Sequence, residues 1–182
     1  IKYIKIYIRK ASIMNEYNGY SKTEILESIL LSDNVVNSIN ENMDLFLKIL
    51  PEIENLISFD KTHQGQSVWK NTLCSLRLSE KDLDVRLALL FNDMSKPYTY
   101  SNNDGVESFK GHATASSIIA KHVLSRIGYT ESYVNKICYL IQMHNRPIDI
   151  KKLNGDEDLQ LKIIEIKRCS NIEFNKEVKS DI

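Results

Sequence analysis

Residues 82–93, Asp-Leu-Asp-Val-Arg-Leu-Ala-Leu-Leu-Phe-Asn-Asp, leave almost no polar surface on a helix, because Val85, Leu87, Ala88, Leu89, Leu90 and Phe91 cover nearly every side of it. A helix that is apolar all round has to be buried all round, so other elements must surround it. Ser79-Glu80-Lys81-Asp82 supplies the cap before it, and Ser95-Lys96-Pro97 stops the region after it. Six Gly and three Pro in 182 residues favour long helices over a turn-rich β architecture. That length makes one domain the default, with room for a sizeable core.

The flanking segments carry the same helical punctuation. Ser21-Lys22-Thr23-Glu24 reads as a capping box opening a short helix, Thr23 to Leu31. Asp33 is placed to cap the next one, whose stripe is Val35, Ile39, Met43, Phe46 and Leu50. Phe59 to Gln66 is polar and breaks the period, which predicts a loop entering a helix over Val68 to Leu76. Tyr100 to Glu107 predicts a turn-forming loop around Asn103-Asp104-Gly105. Phe109 to Ile127 predicts a long helix closed by Gly128, and Thr130 caps another that runs to about His144. Asp156 opens a last amphipathic helix through Leu159, Ile163, Ile166 and Cys169.

Ile1 to Ile8 alternates like a strand and also places Ile1, Ile4 and Ile8 on one helical face. We favour helix there, since nothing else supplies a sheet. The expectation is an all-α bundle of seven or eight helices with no strand pair. Residues 1–44 would form an N-terminal helical extension and 45–182 the main domain, the two packed as one unit.

Charge and cysteine content narrow the function classes. Formal net charge is +0, which removes the global basic field of a general nucleic-acid binder and leaves only local patches. Cys74, Cys138 and Cys169 are widely spaced, which predicts reduced, buried thiols in a reducing, cytoplasmic setting rather than a zinc ribbon or disulfide framework. No apolar run approaches a membrane span. The chain opens at Ile1 rather than Met, as a piece of a longer protein would.

Polar residues interrupt the helices in a definite order: His63, Asn71, Asn92-Asp93, Lys96, Gly111-His112, His144 and Ser170. Imidazole and carboxylate groups from several helix ends can converge on a divalent cation in an antiparallel bundle. His122 falls off the helical face that carries His112 and is set aside.

That order, in "VWKNTL", "LLFNDMSKP", "FKGHATAS" and "ICYLIQMHN", resembles the HD superfamily of metal-dependent phosphohydrolases. More narrowly it is similar to the HD domain attached to bacterial tRNA nucleotidyltransferases of the CCA-adding type. The resemblance spans roughly residues 45 to 170 and implies an HD-type helical bundle. It also implies four primary metal positions, a His, a His-Asp pair and a distal Asp. Here these fall on Asn71, Asn92-Asp93 and Ser170, so only Asp93 keeps the family's residue. Asp93, His112 and His144 would belong to the family's second ion, and Lys96 matches a phosphate-facing lysine. His63 lies one residue from a further histidine position, in what reads as a solvated loop.

Two functions remain open. One is a non-catalytic helical module that binds nucleotide or RNA, or supports a nucleotidyltransferase domain outside this chain. On that reading Asn92 pairs with Asp93 where a metal once sat, and no cofactor is tightly bound. The other is a phosphohydrolase working through a reduced site of Asp93, His112 and His144, with Lys96 at the phosphate. That site would hold one divalent metal: manganese, nickel, iron or magnesium.

Overall fold

A computed structural model describes residues 19–62, 68–147 and 156–171; the segment Ile1 to Ile8 and His63 lie outside them. The elements are α1 (Lys22–Leu30), α2 (Val35–Glu41), α3 (Met43–Ile49), α4 (Ile53–Thr62), α5 (Val68–Leu78) and α6 (Leu83–Phe91). They continue through α7 (Lys96–Thr99), β1 (Ser101–Asn103), β2 (Val106–Ser108), α8 (His112–Ile127), α9 (Glu131–Met143) and α10 (Glu157–Ser170). Among the described residues there are nine helices of seven residues or more, one single turn, and one two-stranded ribbon. The chain is an all-α bundle, as its caps and apolar stripes predict, but the described residues alone hold more than the expected seven or eight helices.

Helix α6 is the axis of the bundle. Every residue from Asp84 to Phe91 is buried, the two charged ones included. It packs against α1, α5, α8, α9 and α10, and one apolar cluster runs from Ile25 and Leu26 of α1 to Ile163, Ile166 and Cys169 of α10. Two buried charges therefore need partners inside the protein. Arg86, 4% exposed, donates to the carbonyls of Leu30, Ser32 (2.9 Å) and Glu80 (3.1 Å), and to the Ser79 hydroxyl (3.3 Å). It thus ties the end of α1 to the α5–α6 turn. Asp84 accepts from Tyr133 Oη at 2.7 Å and pairs with Lys136 (2.5 Å) of α9 and Lys162 (2.6 Å) of α10.

The local caps follow the sequence in several places. Ser21 and Glu24 form the reciprocal capping box, Asp156 accepts from the Leu159 amide, and Gly128 closes α8 in the left-handed conformation. Asp82 caps α6 by accepting from Val85 N.

Five expectations are corrected. Asn34, not Asp33, caps α2, accepting from Asn37 N at 3.0 Å. The stripe from Val35 to Leu50 is split between α2 and α3, because the Asn42 side chain donates to the Ser38 carbonyl (2.8 Å) and competes with the helical ladder. Helix α4 continues through Thr62, so residues 59–62 are helical rather than loop. Helix α8 begins at His112 rather than Phe109, since Gly111 (φ 83°) takes a left-handed conformation that a helix cannot include.

The last correction is that the loop at Asn103-Asp104-Gly105 is a hairpin, pairing Ser101 with Ser108 and Asn103 with Val106. Asp104 (φ 54°) and Gly105 (φ 83°) both adopt positive φ, the geometry that two-residue hairpin turns require. No alternation of apolar residues flags this pair in the sequence, because its strands are largely exposed.

Two outcomes follow from the buried charges. Arg86→Met should lower the free energy of unfolding in urea by about 3 kcal/mol, since several buried carbonyls lose their donor at once. A loss indistinguishable from that of an exposed Lys→Met control would contradict the clamp. The second outcome concerns acid. Desolvation raises the Asp84 pKa, but Lys136, Lys162 and Tyr133 outweigh it and hold the carboxyl below its ordinary 3.8. A depressed folded-state pKa contributes stability above the unfolded value, and that contribution disappears as the pH falls through the folded value. Asp84→Asn should therefore flatten the acid limb of the stability profile below about pH 4 and lower the plateau at neutral pH.

Candidate functional site

The site forms where α6 ends. Asp93 lies just past Asn92, the C-cap of α6; Lys96 starts the single turn α7, His112 is the first residue of α8, and His144 caps the C-terminus of α9. Side-chain ligand atoms of Asp93, His112 and His144 all lie within 4.8 Å of one another, and among the described residues they make a three-group cluster able to hold a metal ion.

The backbone fixes how both imidazoles point. His112 Nδ1 lies 2.8 Å from the Phe109 carbonyl, and His144 Nδ1 lies 2.5 Å from the Ile141 carbonyl. A carbonyl oxygen only accepts, so each ring donates through Nδ1–H and turns Nε2 into the cluster. The two Nε2 atoms face each other at 3.2 Å, and Asp93 Oδ1 is 3.6 Å from that of His112. Three acceptors thus converge on one point. Such a cluster needs a shared donor or a cation between its members, and a metal ion is one group that meets the need. Carbonyl-anchored imidazoles of this kind are the usual supporting arrangement for metal ligands.

The two oxygens of Asp93 are divided between different partners. While Oδ1 faces the imidazoles, Oδ2 accepts from Lys96 Nζ at 2.8 Å. All three side chains are about equally buried, with Asp93 14% exposed and Lys96 and His112 each 13%. The Lys96 ammonium also sits 5.4 Å above the Phe109 ring, which orders it at the edge of the cluster. Burial above all pulls the His144 pKa below its ordinary value. His112 and Lys96 add to that pull, while the Ile141 bond and Asp93 oppose it. A lowered pKa favours the neutral imidazole, which is the ligating form.

Asn71, Asn92 and Ser170 bring no imidazole, thiol or carboxylate to this cluster. Asn92, 3% exposed, donates its side-chain NH to Ser170 Oγ at 3.0 Å. The expectation that Asn92 pairs with Asp93 is therefore corrected, because consecutive residues on a helical turn point in different directions. Asn71 lies on α5, and its buried Oδ1 has no hydrogen-bond partner among the described residues. His63 lies outside the described residues, and His122 is exposed on α8.

The residues present fit one divalent metal, with Asp93, His112 and His144 as donors. They do not fit a second one. Asn71, Asn92 and Ser170 are neutral, and the Asn92 amide is already hydrogen-bonded to Ser170.

Sequence reasoning missed the residues that hold the cluster in place. Ser95 donates to the His112 carbonyl (2.8 Å), its own amide is held by Ser116 Oγ (3.0 Å), and Ser116 Oγ–H donates back to Ser95 Oγ (3.0 Å). Both serines are buried, at 1% and 0% exposure. Their signal was present in outline: Ser95 stands between Asp93 and Lys96, where a small polar residue enters a dense core.

Over 134 residues the chain is 29% identical to the CC-adding tRNA nucleotidyltransferase of Thermus thermophilus. The match takes in 66% of this chain and spans 30% of the length of that relative. No family model matches the chain. The similarity supports a relationship to tRNA nucleotidyltransferases.

A double-mutant cycle tests the contact that distinguishes this pocket. Asn92→Ala and Ser170→Ala should each destabilise the protein, with a coupling energy of about 1 kcal/mol in urea unfolding. Additive effects would show that the two side chains do not support one another.

Proposed function

We propose that this chain is a non-catalytic helical module of the HD type. Its role would be to bind nucleotide or RNA, or to support a nucleotidyltransferase domain outside this chain, in the cytoplasm. The observation that carries this reading is the Asn92–Ser170 hydrogen bond. Two positions that the HD resemblance assigns to primary metal ligands instead satisfy each other as neutral groups. A pocket arranged in this way has no charged ligands for the second metal of a dinuclear phosphohydrolase. The similarity to a tRNA nucleotidyltransferase supports an RNA-linked setting. No helix among the described residues is long and apolar enough to cross a membrane.

A second reading is favoured by a different observation, the convergence of Asp93, His112 and His144. On this reading the chain is a phosphohydrolase acting on a phosphomonoester or a cyclic nucleotide phosphate. One divalent metal held by these three residues would polarise a phosphoryl oxygen when bound. Lys96, beside Asp93 and above Phe109, would meet phosphate charge. The carboxylate can serve both, since Oδ1 and Oδ2 already face different partners.

Metal binding and phosphatase activity separate the two. We expect protein purified without chelator to carry no stoichiometric transition metal by elemental analysis, and to show background activity on generic phosphomonoesters. Restoring charged and imidazole ligands with Asn71→His, Asn92→His and Ser170→Asp should raise manganese or nickel affinity by about 10-fold or more. Activity in the unmodified protein that a chelator removes, and that Asp93→Ala abolishes, would overturn the non-catalytic reading in favour of the second.

A further inference from the structure

The last helix contributes no ligand to the cluster, yet it is tied to the chain on both sides of it. Lys167 Nζ donates to the carbonyl of His144 at 3.1 Å and to that of Arg146. One turn further on, Ser170 Oγ accepts from Asn92, the neighbour of Asp93. Lys167 and Ser170 are three apart on α10 and so lie on one face. That face spans from the end of α9 to the end of α6.

We propose that Lys167 is a positioning residue for His144, holding its imidazole against His112. His144 is the C-cap of α9, where the last carbonyls of a helix have no partners within it. An ammonium placed there satisfies two carbonyls and complements the helix dipole. With its carbonyl held from α10 and its Nδ1 bound to Ile141, the residue is fixed at both its backbone and its ring. Releasing the first tie frees the α9 end to fray and carries the ring away from the cluster. This inference deepens the single-cation reading and rests on it only for the metal arm of its test.

The decisive measurement is the nuclear Overhauser contact between the ring protons of His112 and His144, whose centroids lie 5.3 Å apart. We expect the cross-peak in the unmodified protein, its loss in Lys167→Met and its retention in Lys167→Arg, which keeps a cationic donor. Arg168→Met is the control for general loosening, because Arg168 ties α10 to the Leu78 carbonyl instead. It should lower the melting temperature and keep the cross-peak. If Lys167→Met does not fold, Lys167→Gln is the milder variant, and a weakened cross-peak supports the assignment. An unchanged cross-peak in the Lys167 variants, its absence from the unmodified protein, or equal loss in Arg168→Met would each overturn it. In the metal arm, Lys167→Met should weaken Co2+ binding about 10-fold, the size expected of a group that supports a ligand. If the unmodified protein binds no Co2+, the single-cation reading fails, and the ring contact alone decides the role of Lys167.

Discussion

A helix buried on every side cannot send its charged residues to water, and in this protein that constraint organises everything else. Asp84 and Arg86 lie within the fully buried run of α6, where isolated charges would be strongly disfavoured. Arg86 is satisfied by carbonyls at the end of α1 and in the turn before α6, and Asp84 by cations from α9 and α10. These contacts are directional, whereas the apolar surface around α6 would tolerate some sliding. They set how far along α6 its neighbours sit. The distal end of α6 then delivers Asn92 and Asp93 to a fixed place, level with the start of α8 and the end of α9.

The residues gathered there fall into two chemically different halves. On one side Asn92 and Ser170 are neutral and hydrogen-bonded to each other, a state that asks for no ion. On the other, a carboxylate and two inward-facing imidazole nitrogens form an acceptor-rich cluster, partly offset by Lys96. The difference follows from charge. A neutral amide creates no electrostatic need for a metal and provides a donor and an acceptor that can close on a neighbour. Asp93 cannot become neutral that way, and its ion pair with Lys96 gives it an alternative to a metal.

What could be read in the sequence was whatever is settled within one turn of helix. The Ser21–Glu24 box, the Asp156 cap and the apolar run of α6 depend on neighbours three or four residues away, and all appear in the structure. The break at Asn42 is also local, but it turns on whether an amide bonds to solvent or to Ser38, which composition does not decide. The hairpin went unread because its strands bury little and so lack an apolar rhythm. At the site, the residue types of the cluster were legible as an ordered set of interruptions. The partner of Asn92 was not: it lies 78 residues away, and only the docking of α10 brings it close. Assigning Asn92 to Asp93 treated adjacency in sequence as adjacency in space.

The same architecture gives the pocket a shape that does not depend on a metal. If a bound ion were the main link between α6, α8, α9 and α10, neutral substitutions at its ligands would release those helices. Here the links lie elsewhere. Asp84 joins α6 to α9 and α10, Ser95 and Ser116 join the end of α6 to α8, and Lys167 joins α10 to the end of α9. None of these contacts runs through Asp93, His112 or His144 side chains. Two of the links, the Lys167 and Ser95 bonds, engage the backbone carbonyls of His144 and His112, so they persist whatever the rings hold. The fold therefore sets the geometry of the cluster in advance, and an ion there would be a guest of the scaffold rather than its foundation.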